Sequence, residues 1–242
     1  MVDKYPNLSP YVYCANNPVR LVDPDGRTIV GTDGKDVSYS IDEKGTVTWS
    51  KNASVDTKKI GNELLKTETG KQQLDKLVNS ETKITLNISK KDKNENNNVT
   101  FGSFFYDKSD KNIYTDENGN IHIKTGTIVI YEGAISSYLG ASGSINILND
   151  KPSAMLVGAS NVTPIEYMAA VAGHEIEHAT SLTNIQLHYW GDKSAAEIMP
   201  NIIKENILWE YFFPLLKHLF ILCLFQDIRF YCFFQPCFLC FI

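Results

Sequence analysis

A chain of 242 residues with 23 basic and 28 acidic side chains, net charge −5, is long enough for one sizeable domain with extensions. It carries no basic footprint for nucleic acid, so a nuclease is disfavoured and nucleic acid is not an expected partner. Only Cys14 falls in the first 220 residues; no disulfide framework is expected there, and the N-terminus lacks the charged and apolar runs of a signal peptide.

Residues 1–27 are dense in Pro, Asn and aromatic side chains and read as a series of turns joined by short extended pieces. Within them, Tyr5-Pro-Asn-Leu-Ser-Pro-Tyr-Val-Tyr-Cys-Ala-Asn-Asn-Pro18, followed by Asp23-Pro-Asp-Gly26, resembles the end of the RHS repeat-associated core of Rhs and YD-repeat polymorphic toxins. The resemblance covers about a tenth of the chain. It implies that a large β-shell precedes this boundary and a variable toxin domain follows it. It also implies delivery by a contact-dependent secretion system, a target protein in a competing cell, and a cognate immunity protein as partner. The shell repeats are not in this sequence, so the chain reads as a fragment or a detached toxin cassette, and Asp23–Gly26 as a linker turn.

Val37–Ile41 and Thr46–Trp49 alternate polar and apolar residues around Asp42–Gly45, which predicts a hairpin. Ile60, Leu64 and Leu65, then Leu74, Leu77 and Val78, predict two short amphipathic helices parted near Thr69-Gly70. Lys83–Ile88 alternates as a strand, and Ser89–Asn98 is a charged, Asn-rich loop with nothing apolar to bury. Phe101–Tyr106 and Asn120–Ile123 flank a turn signal at Asn118-Gly119, with His122 a structural residue of its strand. Gly126–Tyr131 is the most apolar strand. Its Ile128–Tyr131 segment is the expected edge of the sheet, where an extended peptide can add as a further strand.

A longer helix is predicted from Thr163, with Thr163 as N-cap, Pro164 in the first position and Glu166 completing a capping box. Ile165, Met168, Ala169, Ala172 and Ile176 give it an apolar flank. The same helix carries His174-Glu175-Ile-Glu-His178. Residues four apart lie one above the other, so two imidazoles can grip one metal ion. Glu175 beside them is placed to take a proton from a polarised water, the general-base role in a zinc peptidase.

A hydrolytic zinc site needs a third protein ligand and an open position. His188, Asp192, Glu197 and Glu205 are the downstream candidates. A third His six residues after His178 would mark a metzincin, but Asn184 stands there and Ser181 replaces the turn glycine. Glu197, nineteen residues after His178, lies in Ala195–Asn206, a predicted second helix with Ser194 as its cap and Pro200 interrupting it. This arrangement resembles that of gluzincins. The resemblance implies zinc held by His174, His178 and Glu197, with Asp192 and His188 as alternatives for the third place. It puts Asn201, four residues after Glu197, in the role of orienting a ligating His. His188 or Tyr189 are candidates for stabilising the oxyanion.

From Leu208 the chain turns to Phe, Leu, Ile, Tyr and Cys, with Cys223, Cys232, Cys237 and Cys240. Lys217, Asp227 and Arg229 interrupt every window of about 18–20 residues, so a membrane span is not expected. Cys237 and Cys240 lack a matching pair for a second metal site, and the composition suggests a frame-shifted ending. The expected fold is α+β: a zincin-like lobe over residues 28–207, with a mixed β-sheet packed on the active-site helix, between an irregular segment, 1–27, and a hydrophobic tail, 208–242. The expected function is a zinc metalloendopeptidase effector of an Rhs-type toxin. The competing expectation is a non-catalytic, truncated remnant that holds metal without turnover; whether Glu197 points at the histidine pair discriminates the two.

Overall fold

The computed structural model describes residues 29–31, 35–141 and 162–212. The segment that resembles the RHS core and the cysteines of the tail lie outside them. The described residues form an α+β fold around a five-stranded mixed sheet. Its strands are β1 (Ile29–Val30), β2 (Asp36–Val37), β5 (Lys83–Ser89), β6 (Gly102–Phe105) and β9 (Thr125–Tyr131), in the order β2-β1-β5-β9-β6. Parallel pairing joins β1, β5 and β9, while β2 and β6 run antiparallel at the two edges. Two hairpins flank the sheet: β3 (Tyr39–Ile41) with β4 (Val47–Trp49), as expected, and β7 (Ile113–Thr115) with β8 (Ile121–Ile123).

The edge strands are β2 and β6, and Ile128–Tyr131 belongs to an interior strand with neighbours on both sides. Ile128 and Ile130 are fully buried. An unbroken apolar run marks a strand covered by its surroundings, and so argues for the interior of a sheet. The turn at Asn118-Gly119 joins β8 to β7 instead of to Phe101–Tyr106, most of which pairs with β9.

The helices are α1 (Val55–Leu64), α2 (Glu68–Val78), α3 (Glu132–Ala141), α4 (Pro164–Thr180), α5 (Leu182–Trp190), α6 (Lys193–Ala196) and α7 (Ile198–Phe212). The break between α1 and α2 falls before Thr67, whose side chain accepts from Gly70 N and caps α2; Thr69-Gly70 lies inside its first turn. At α4 the capping box is complete: Thr163 Oγ1 accepts from Glu166 N, and Glu166 Oε2 from Thr163 N at 2.8 Å. Met168, Ala169, Ala172 and Ile176 are fully buried, each large aliphatic side chain contributing roughly 1.5–3 kcal/mol. Helix α4 packs on β6 and β9 and is flanked by α1, α2, α3, α5 and α7, so its position is held by contacts with both the sheet and the helices.

The predicted helix over Ala195–Asn206 is divided. Asp192, in place of Ser194, caps the short α6 by accepting from Ala195 N at 3.0 Å. A new helix then starts at Ile198, with Pro200 in its first turn, where no N–H is required. Helix α7 runs across residue 207, where the composition changes. Leu208 is fully buried, Tyr211 donates its hydroxyl to Glu63 O at 2.8 Å, and the Glu210 carboxylate accepts from the Glu68 and Thr69 amides at the start of α2. Among the described residues no helix is long and apolar enough to cross a membrane.

Candidate metal centre

Helix α4 carries His174 and His178, four residues apart. Their rings stand edge to face with centroids 4.7 Å apart, and their Nε2 atoms are 3.0 Å apart. Glu197 closes α6 as its C-cap, at the joint with α7. From there Glu197 Oε2 lies 3.3 Å from His174 Nε2 and Oε1 lies 3.5 Å from His178 Nε2. The three donors fall within 4.8 Å of one another, forming a group able to hold a metal ion. Ligands about 2.0–2.1 Å from a tetrahedral zinc stand roughly 3.3 Å apart, so the observed spacings of 3.0, 3.3 and 3.5 Å fit such an ion.

The electrostatics agree. Bonds from His174 and then His178 hold the Glu197 carboxyl far below the usual carboxylate range. Burial by itself would push the His178 imidazole down, but the bond to Glu197 and the charge of Glu175 outweigh it, and the ring sits above its ordinary value. An arrangement that favours an imidazolium here favours any cation set between the same donors.

Glu175 is buried against the neighbouring edge strand. Burial pushes its carboxyl up, with Glu197 adding repulsion, while His174, His178 and the Phe104 backbone N–H pull the other way; the net displacement is upward. Strand β6 reaches it because position 102 is glycine. A Cβ there would lie 2.7 Å from Glu175 Oε1 and from Val171 Cγ1. A carboxylate of raised basicity beside a cation-binding trio is a better proton acceptor than an ordinary carboxylate.

Around this core the expected residues divide. Helix α5, between Ser181 as N-cap and Gly191 in the left-handed conformation (φ 85°), returns the chain along the outer side of His178. Asn184, buried on its first turn, sets Oδ1 2.6 Å from His178 Nδ1. It takes the orienting place expected of Asn201, which bonds through its backbone N–H to Glu197 O. His188 Nε2 also lies 3.0 Å from His178 Nδ1, and burial together with the His178 charge keeps that imidazole below its ordinary range. His188 thus meets the outer side of His178, not its metal-facing atom. Tyr189 is exposed and does not line the cavity. Asp192 is occupied as a cap, and Glu205 is not part of the donor group.

A cavity of about 370 Å³ opens over the donors, with Gly102, Phe104 and Tyr106 on one wall and Ile123, Ile185 and His188 among its other lining residues. Comparison with protein-family models, curated proteins and solved structures finds no match to this chain.

Proposed function

We propose that this chain carries a zinc-dependent peptidase of the zincin class, with a gluzincin-like donor set of His174, His178 and Glu197. The observation that carries the proposal is the convergence of those three donors beside a buried carboxylate of raised basicity. Zinc, when bound, would acidify a water and polarise the peptide carbonyl it is to attack. Glu175 takes the proton from that water at its carboxylate and later returns it to the leaving amine. Among the described residues β6 is an edge strand bordering the cavity, where an extended peptide can pair with it and lie across the donors. Glu197 faces the histidine pair; had it turned away, the reading as a remnant that holds metal without turnover would have gained.

We extend the proposal to biology through residues 5–26. As the effector domain of an Rhs-type polymorphic toxin, the peptidase would reach a competing cell by contact-dependent secretion, cleave a protein there and be held in check by an immunity protein. The test is elemental analysis of the purified full chain, followed by its incubation with unfolded cellular proteins and mass-spectrometric search for new N-termini. Near-stoichiometric zinc is expected, with new termini in wild type and none with Glu175→Gln, which should keep its zinc. Wild-type protein that takes no zinc, or equal cleavage by Glu175→Gln, would end the peptidase reading.

A further inference from the structure

We propose that Asn184 is the positioning residue of this centre: its two amide atoms fix the tautomer of His178 and tie that ring to the backbone that carries Glu197. The role rests on the metal reading above, but its first step follows from the hydrogen-bond pattern alone. Ala196 O is a backbone carbonyl and only accepts, so the group 2.5 Å from it must be the amide nitrogen, Nδ2. Asn184 Oδ1 is then turned to His178 Nδ1 at 2.6 Å. An amide oxygen also only accepts, and the hydrogen must therefore sit on His178 Nδ1. In a neutral ring this leaves Nε2 bare, and Nε2 is the atom that faces His174 and Glu197. Flipping the amide would set two oxygens against each other at Ala196. The amide orientation is thus assigned by its partners, and the tautomer with it.

The second step concerns Glu197. Ala196 is the last residue of α6 and Glu197 the next along the chain. The same side chain therefore holds His178 on α4 and the backbone immediately before the carboxylate donor. Asn184 is itself fixed: it is buried, and its backbone N–H is directed at Ser181 Oγ, the cap of α5. His188 Nε2, 3.0 Å from the same Nδ1, shares the hydrogen only as an acceptor. His174 has no such support; among the described residues its buried Nδ1 has no hydrogen-bond partner. Aspartate at 184 would keep an acceptor for His178 but offer no donor to Ala196 O. An amide meets both demands.

The experiment uses the full chain as wild type, Asn184→Ala and Asn184→Asp. Histidine ring-nitrogen shifts of the metal-free protein at about pH 9, where imidazoles are neutral, report the tautomer; competition with a chromophoric chelator reports the zinc dissociation constant. Wild type should show His178 protonated at Nδ1. Asn184→Ala should show mixed tautomers and bind zinc about 10–100-fold more weakly, the range for lost outer-sphere support. Asn184→Asp should keep the Nδ1–H tautomer yet still bind zinc more weakly, because the tie to Ala196 is cut; it decides the matter if the alanine variant does not fold. A wild-type His178 protonated at Nε2, or zinc affinities of both variants within about threefold of wild type, would overturn the role. Wild type that binds no zinc overturns the metal reading and this role with it. That outcome is distinct from failure of the Asn184 role alone, in which wild type and variants bind zinc alike.

Discussion

Gly102 and Glu175 come from different layers of the fold and leave no room for a methyl group between them, since a Cβ at 102 would stand 2.7 Å from Glu175 Oε1. The contact fixes how far the edge strand sits from the helix that carries the donors, and it brings the Phe104 N–H onto the Glu175 carboxylate.

Gly102→Val should therefore displace β6 from α4, or rotate Glu175 away from the cavity, with the three metal donors left in place. Peptide hydrolysis is expected to fall by 10-fold or more, on the order of the effect of misplacing a general base, while zinc stoichiometry stays near wild type. Cleavage rates beside elemental analysis would check this; an unimpaired rate would mean that the contact does not govern the carboxylate.

Glu197→Ala and Asp192→Ala separate a ligand from a cap. Loss of the Glu197 carboxylate should weaken zinc by more than the roughly 10–100-fold typical of outer-sphere changes. Asp192→Ala removes the bond to Ala195 N and should cost about 1 kcal/mol of stability, with zinc affinity little changed. Chelator competition and thermal unfolding on both variants are the measurements. Stronger loss of zinc with Asp192→Ala would exchange the two assignments.

The described fold runs past the compositional break at Leu208, and the contacts there can be weighed. Leu208→Ala should destabilise by about 2–5 kcal/mol, as for a fully buried leucine. Glu210→Ala, which removes the acceptor of the Glu68 and Thr69 amides at the start of α2, should cost about 1 kcal/mol. Denaturant titration of each variant tests this. Wild-type midpoints in both would mean that α7 beyond residue 207 adds nothing to the fold.

Acid should loosen the β7–β8 hairpin through Asp116. Bonds from the Asn120 side chain and backbone, then from His122, with the Asn118 amide adding to them, hold its carboxyl well below the ordinary 3.8. A depressed carboxyl contributes stability that is fully present above its unfolded value and is lost as pH falls through the folded one. Asp116→Asn should thus be less stable than wild type at neutral pH, with the gap closing as pH drops below 3.8. A gap that is constant with pH would rule out the titration of Asp116 as its source.

Much of this was legible in the residues. The capping box at Thr163 and the histidine spacing fixed α4 and its donors, because both depend on contacts within one or two turns. The demand for a third donor left His188, Asp192, Glu197 and Glu205 open, and Glu197 was preferred only through the resemblance to gluzincins; the structure brings that carboxylate to the histidine pair. The sheet edge was misplaced because the apolarity of Ile128–Tyr131 reports burial, and burial is greatest in the interior. Asn184 and Gly102 were not assigned site roles, since one acts through its distance to Ala196 and the other through the space it leaves empty; neither leaves a local pattern. A signal for α5 was present in Ser181 and Gly191, a cap at each end of Leu182–Trp190.

Glu197 occupies the seam between two helices, more than twenty residues along the chain from His174. Both histidines lie on one helix, whereas the carboxylate donor reaches them from a later part of the chain. The three donors stand together only with α7 packed on α4, so the donor group joins distant parts of the described fold. A cation that clasps all three donors would in turn hold α6 and α7 to α4.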